Sequence, residues 1–211
     1  MMNSKSAKGL FRATGKIPKT ELTRERNDFY PTPPEPILAL LKAEHTTLIK
    51  YNKIWEPAAG DGAMAKIIRE HGFNVRISDL IDRGCGAKIA NFYSFKQPMA
   101  PAIITNPPFS ECNKDPGFVR HALEVLKVDY MALLLPFIWP GSARERGKLW
   151  ADYPPYKIYM MRWRIDFTGQ GNSPVYNAWF VWQAGFKDAP MFHVLDRPHN
   201  GKQAVLNLEA R

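Results

Sequence analysis

Short apolar runs that end on a polar residue or a proline, interleaved with helical stretches, set the strongest limit on how this chain folds. The runs are Lys53-Ile54-Trp55-Glu56, Asn74-Val75-Arg76-Ile77-Ser78-Asp79, Ala102-Ile103-Ile104-Thr105 and the longer stretch from Tyr130 to Pro136. Strands alternating with helices point to an α/β protein built on a single doubly wound, mostly parallel sheet. In such a sheet ligands bind beyond the carboxyl ends of the strands. The residues closing the first three runs, Glu56, Asp79 and Asn106, are therefore expected at one edge. Lys157-Ile158-Tyr159-Met160-Met161 and Trp179-Phe180-Val181-Trp182 read as two late strands, and no internal repeat is visible.

The third run passes into Asn106-Pro107-Pro108-Phe109. A residue before proline is pushed into an extended conformation, and two prolines end the strand in a stiff turn. An amide and an aromatic are thereby held together at a strand end. The structural alternative is a turn in which Asn106 caps backbone groups and Phe109 packs inward. The first run passes into Pro57-Ala58-Ala59-Gly60-Asp61-Gly62, and a helical stretch follows from Ala63 to Arg69. Strand, small-residue turn and helix in that order let a ligand approach backbone amides. Glu56 would repel a pyrophosphate there, which favours a cationic ligand. Asp79 stands about one βαβ step beyond Gly60, the spacing at which an acid grips ribose hydroxyls. Asp82 competes for that role, and Asn91-Phe92 ends a third short crossover or packs as loop.

Upstream lies Asp28-Phe29-Tyr30-Pro31-Thr32-Pro33-Pro34-Glu35. Thr32 and Glu35 have capping-box spacing, Pro33 suits a first helical turn, and a helix through Ile37, Leu38, Leu40 and Leu41 is expected. Phe29 and Tyr30 suit a hydrophobic staple. Downstream, a polar loop is expected from Ser110 to Asp115, with Asp115-Pro116 opening a helix that runs to Leu126. Ser142 and Glu145 repeat the capping-box pattern at the head of a basic stretch, Arg144, Arg146 and Lys148. Arg162-Trp163-Arg164 precedes a glycine-rich loop at 169–174, a combination that suits a nucleic-acid strand. A charged helix face and charge protection of an edge strand explain the same residues without a partner.

Residues 1–27 read as a basic, flexible arm, 28–185 as the catalytic domain, and 186–211 as a C-terminal tail. The formal net charge of +9 and a pI near 9.6 suit a polyanionic partner, nucleic acid above all. The sequence shows neither a membrane-length apolar run nor a signal-peptide pattern, so a cytoplasmic location with no membrane partner is expected. Cys85 and Cys112 lack metal or disulfide spacing, the histidines are scattered, and no metal site is expected.

Together these residues resemble the S-adenosylmethionine-dependent amino-methyltransferases, and most closely the small phage- or prophage-type DNA adenine methyltransferases. Glu56-Pro57-Ala58-Ala59-Gly60-Asp61-Gly62 is similar to the family's cofactor motif, and Asn106-Pro107-Pro108-Phe109 to its catalytic motif. Phe29-Tyr30-Pro31-Thr32-Pro33 resembles its N-terminal cofactor motif, and the Trp179 to Trp182 run resembles its closing strand. The likeness covers about residues 28–184 and rests on three motifs in the family's order. It implies a Rossmann-like class I methyltransferase fold. It also implies that Phe29, Tyr30 and Thr32 border the methionine end of S-adenosyl-L-methionine, and that Glu56, Pro57, Gly60 and Gly62 line its sulfonium side. Asp79 would hold the ribose, and Asn91 and Phe92 would border the adenine, with an amide standing where the family commonly has an acid. Family members usually carry an inserted or appended target-recognition region, and this chain has no room for a large one, so its sequence specificity is either relaxed or rests on the loops at 110–117 and 163–178.

The implied reaction is transfer of a methyl group to the exocyclic N6 amine of a DNA adenine flipped out of its helix. The lone pair of that amine is delocalised into the ring. Hydrogen bonds from the amine to the Asn106 side-chain oxygen and the Pro107 carbonyl would localise it, with Pro108 stiffening the turn and Phe109 stacking on the base. The basic residues Arg144, Arg146, Lys148, Arg162 and Arg164 would contact phosphates. Transfer to an RNA adenine, to the N4 amine of cytosine or to a protein glutamine uses the same chemistry. An inactive nucleic-acid-binding module is the rival from another class.

Overall fold

The computed structural model describes residues 31–112, 114, 116–141, 144–167 and 175–198, with the side chains of 144–146 left aside. The predicted 1–27 arm, Phe29, Tyr30, Asp115, Ser142 and the glycine-rich loop at 169–174 fall outside them. Eight strands form one sheet in the order β3-β2-β1-β4-β5-β7-β6-β8. They are β1 Lys53–Glu56, β2 Asn74–Asp79, β3 Lys88–Ile89, β4 Ala102–Thr105, β5 Tyr130–Pro136, β6 Lys157–Met161, β7 Asn177–Gln183 and β8 Met191–Leu195. The strands β3, β2, β1, β4 and β5 pair in parallel, and β7 runs antiparallel between β5 and β6. The expected doubly wound, mostly parallel sheet is the observed one.

The side-chain period of two divides each buried strand between two cores. On one face Ile54, Ile104, Ala132 and Val181 meet helix α1, Pro34–Tyr51, through Ile37, Leu40 and Leu48, and helix α2, Ala63–Glu70, through Met64 and Ile68. On the other face Trp55, Ile103, Met131, Leu133 and Phe180 meet Phe118, Val119 and Ala122. Those three residues belong to α4, which starts at Phe118–Arg120 and widens into a π-helical turn over His121–Val125. Leu149 of α5, Arg144–Asp152, completes that face.

Four local expectations need correction. No Thr32–Glu35 capping box forms: Pro33 is the N-cap, α1 has no side-chain cap, and Glu35 pairs with Arg197 at 2.5 Å. The Thr32 hydroxyl is engaged instead by Asn106, a partner across the sheet edge. The polar segment after Phe109 is not all loop, because Phe109–Cys112 forms a helical turn, α3. The following helix starts at Phe118 with Gly117 as its N-cap, later than Asp115-Pro116. A Cβ at Gly117 would come within 2.4 Å of the Lys114 carbonyl oxygen, so the chain approaches itself here as only glycine allows. Finally, the segment read as a tail supplies β8, which pairs in parallel with β6.

Where α1 enters the sheet edge is fixed from β7. The Trp179 indole nitrogen, fully buried, donates to the Pro36 carbonyl at 2.8 Å, just past the helix start. That bond satisfies the buried indole N–H and ties the first turn of α1 to β7. Trp179→Phe removes this second bond to a carbonyl that the helix already engages and shrinks the ring, a loss of about 0.5–1.5 kcal/mol for the hydrogen bond with a packing loss added to it. Urea denaturation should show that drop with an unchanged m-value.

Candidate functional site

The chain runs from β1 outward to β2 and β3, then returns to the other side of β1 as β4 and β5. The reversal between β1 and β4 opens a crevice at their carboxyl ends, the switch point at which doubly wound sheets bind ligands. A cavity of about 450 Å³ lies there, within the size range of small-molecule sites. Thr32, Glu56, Pro57, Gly60, Asp79, Asn91, Phe92, Asn106 and Pro108 all line it. The residues expected to act together are thus brought together by adjacent strand ends.

The turn after β1 is held by backbone bonds that need glycine. Gly60 and Gly62 have φ of +58° and +82°. The Gly60 amide donates to Asp79 Oδ2 at 2.8 Å, and the Ala59 amide donates to the Ser78 carbonyl at 3.1 Å. Gly62 does not line the cavity; its role is close packing, since a Cβ there would meet Cys85 Cβ at 3.0 Å. Asp79 is more occupied than its sequence position suggests. Besides Gly60, its other oxygen accepts from the Ile81 amide at 2.9 Å and from Arg83 at 3.2 Å. A carboxylate has about four acceptor positions, so one on Oδ2 remains for a ligand hydroxyl. Asp82 accepts from the Gly84 amide at 2.9 Å and does not line the cavity.

Glu56 is the least satisfied group at the site. It is 2% exposed, and its Oε2 has no hydrogen-bond partner among the described residues. Burial pushes its carboxyl well above the usual range; a hydrogen bond from the Ala65 amide opposes the rise, and Asp61 and Asp79 add to it. A buried, partly unsatisfied carboxyl on a residue that lines a cavity favours a cation or a hydrogen-bond donor beside it. Asp61 and Glu111 add further carboxylates to the lining against Arg83 and Lys114.

Asn91 spends its side-chain oxygen on the Tyr93 amide, 2.9 Å away, so it caps a helical turn rather than keeping its acceptor free. Phe92 is buried and stacks on Phe118 with centroids 4.0 Å apart and planes 11° from parallel, forming an apolar wall. Several lining residues escaped the sequence reading. Tyr93 donates to Glu111 Oε2 at 2.8 Å, and Lys114 pairs with Glu111 Oε1 at 2.5 Å. Burial would raise the Glu111 carboxyl, but bonds from Lys114 and Tyr93 and the lysine charge hold it below its ordinary value. Nothing in the spacing of Tyr93, Glu111 and Lys114 marks them as neighbours; the π-helical α4 and the α3 turn bring them together. Leu80 and Ile81 carried a weak signal, an apolar pair directly after a strand-end acid.

Asn106 is half-buried and donates from Nδ2 to Thr32 Oγ1 at 3.1 Å. No described residue engages its Oδ1. Pro107 is buried and does not line the cavity, whereas Pro108 does. Phe109 is half-buried, packs against the core on the α4 side and does not line the cavity. Of the basic residues, Lys148 is exposed, Arg162 pairs with Asp196 at 3.1 Å, and the Arg164 guanidinium lies 5.3 Å from the Tyr176 ring centroid. The side chains of Arg144 and Arg146 lie outside the described residues. Cys112 is buried, which pushes its thiol up, and Cys85 donates to the Gly60 carbonyl at 3.3 Å. Among the described residues no cluster of metal-ligating side chains exists, and no helix is long and apolar enough to cross a membrane.

Comparison with solved structures decides the fold. A putative class I S-adenosylmethionine-dependent methyltransferase from Listeria monocytogenes superposes with TM-score 0.56 at 13% identity, over 91% of this chain and 72% of that one. The fold is that of the class I methyltransferases. A putative RNA methyltransferase from Pyrococcus horikoshii matches with TM-score 0.56 and 14% identity over 83% of this chain and 96% of its own. The methyltransferase subunit of a type I restriction-modification system from Streptococcus thermophilus matches with TM-score 0.55 and 14% identity over 78% of this chain and 47% of its own. The chain therefore spans about half the length of that subunit. No protein-family model matches the sequence. No curated protein matches it by sequence either. The turn at Gly62 combines a left-handed backbone with close packing on Cys85. Gly62→Ala should cost about 1–2 kcal/mol for its left-handed backbone, plus whatever Cys85 must yield. A thermal melt should show the loss, and Cys85→Gly in the same chain should recover only the second part.

Proposed function

We propose that this protein transfers a methyl group from S-adenosyl-L-methionine to the exocyclic N6 amine of adenine in DNA, acting on a base flipped out of the helix. The observation that carries the reading is the cavity at the switch point, where a partnerless buried carboxylate, Glu56, and an amide with a free oxygen, Asn106, stand on neighbouring strand ends. The neighbours in fold include proteins described as methyltransferases of the S-adenosylmethionine-dependent class, of RNA and of restriction-modification systems.

The cavity residues fit that cofactor. Glu56 offers its unsatisfied oxygen to the cationic end, Asp79 offers its remaining acceptor position to the ribose, and Phe92, Phe118, Leu80 and Ile81 offer apolar surface to the adenine. Thr32, Pro57 and Gly60 complete the lining, Gly62 shapes the turn from behind, and Phe29 and Tyr30 are assigned to the methionine end. When bound, the cofactor supplies an electrophilic methyl group. This chain's part is to present the amine. Asn106 Oδ1 accepts one amine hydrogen and the Pro107 carbonyl accepts the other, so the nitrogen lone pair is drawn out of the ring. Pro107 and Pro108 keep that carbonyl from turning away. Phe109, half-buried beside Pro108, is assigned as the stacking surface for the flipped base, and Lys148, Arg164, Arg162, Arg144 and Arg146 as phosphate contacts. The domain at 28–185 carries the reaction, and the basic arm at 1–27 adds nonspecific affinity for the polyanion.

An acidic cavity in a chain of net charge +9 separates two tasks. The cation-bearing cofactor is drawn to the carboxylates, and the phosphates are met elsewhere. RNA adenine is the second reading, favoured by the match to an RNA methyltransferase over 96% of that chain's length. Incubation with cofactor labelled on the methyl group, with separate DNA and RNA pools, followed by nucleoside digestion, tests both. Labelled N6-methyldeoxyadenosine is expected; label only in RNA supports the second reading, and label in neither removes both. Asn106→Ala should lower transfer by about 10³-fold with cofactor affinity retained.

Glu56 adds a pH signature. Its carboxyl is raised by burial, and a bound cation favours the ionised form. Below the raised range the ligand must displace a proton, so calorimetry should show cofactor affinity rising as pH climbs through that range, with proton release. Glu56→Gln should bind more weakly at high pH and lose this slope.

A further inference from the structure

We infer that Thr32 is a positioning residue that sets which end of the Asn106 amide faces the substrate. This rests on the reading of Asn106 as the acceptor for an amine. A primary amide carries an acceptor at one end and two donors at the other, and a half-turn of its terminal torsion exchanges them at little steric cost. With the oxygen inward Asn106 receives an amine; with the nitrogen inward it repels one. The side chain therefore needs an external partner to choose.

Thr32 is that partner. It stands 74 residues away in sequence, yet its Oγ1 accepts from Asn106 Nδ2 at 3.1 Å, which leaves Oδ1 as the unengaged end. Thr32 is 7% exposed and lines the same cavity. Two prolines flank it, Pro31 and Pro33, and Pro33 holds φ −65° and ψ 164° as the helix N-cap. The hydroxyl is consequently fixed by backbone as well as by packing. Thr32 lies one residue before the N-cap, Pro33, and α1 has no side-chain cap. The Thr32 oxygen makes no bond to the helix and engages the strand-end amide.

A hydroxyl can also donate, and would then hold the amide the wrong way round. No described residue accepts the Thr32 proton, and the side chain borders the cavity, so an acceptor on a ligand bound there would engage it. Once that proton is engaged, Oγ1 can only accept, and the amide is locked with its oxygen toward the amine. Cofactor binding and substrate presentation are coupled through one threonine oxygen.

The test compares Thr32→Val, which keeps the shape and removes the hydroxyl, with Thr32→Ser, which keeps the hydroxyl. The full chain is labelled with ¹⁵N, and the Asn106 side-chain amide signals are identified by their loss in Asn106→Asp. With S-adenosylhomocysteine bound, wild type and the serine variant should show one Asn106 side-chain hydrogen protected from exchange, and the valine variant none. In methyl transfer, valine should lower kcat by about 10- to 100-fold, the usual cost of misplacing a group beside reacting atoms, while substrate KM changes little and serine restores the rate. Equal protection in the valine variant overturns the proposal, as does a wild-type kcat in that variant. If wild type transfers methyl to neither DNA nor RNA, the reading of the site fails, and the amide signals still decide whether Thr32 orients Asn106.

Discussion

The parallel pairing of β1 with β4 is the contact on which the rest depends. Because β1 also pairs with β2, the chain must leave β1 in one direction and return on the other, and the crevice between the two departures has nothing to fill it. Glu56, Asp79 and Asn106 all line that gap. Glu56 ends β1, Asp79 ends β2 and Asn106 follows β4, so three residues far apart in sequence meet at strand ends about 5 Å apart laterally. The cores on the two faces of the sheet hold the strands rigid beneath them, and the cavity is in effect the part of the sheet edge that neither core reaches.

Around that gap, polar groups are divided between those already satisfied and those left waiting. Asp79 is largely consumed in tying the glycine turn to β2, with bonds to Gly60, Ile81 and Arg83. Asn91 is consumed in capping. Glu56 Oε2 and Asn106 Oδ1 are not consumed, and each costs stability to keep so, Glu56 most of all because it is buried. Residues left in that condition mark where binding energy is recovered. The cavity's carboxylates also set an acidic patch apart within a strongly basic chain, the separation that the proposed cofactor and polyanion would require.

Much of this was legible in the sequence. The strand limits of β1, β2, β4, β5 and β6 follow from apolar runs closed by polar residues or proline, because burial on both faces leaves few other ways to place such runs. The strand-end residues Glu56, Asp79 and Asn106 follow with them. What could not be read were the short and edge elements. β3 has only two residues, and β8 is mostly exposed, so neither carries a burial pattern. Tertiary partners were also hidden. The Thr32–Glu35 spacing signals a capping box, yet Thr32 pays its oxygen to Asn106 across the sheet edge, and Tyr93, Glu111 and Lys114 meet only because α3 and α4 fold back over the cavity.

In the proposed reaction one cavity holds the cofactor against Asn106. A crystal structure of the protein with S-adenosyl-L-methionine tests it most directly. The ligand is expected at the β1–β4 crevice, its cationic end against Glu56 and its donor methyl facing the Asn106 oxygen. A ligand bound elsewhere, or bound there with its methyl turned away from Asn106, would contradict it.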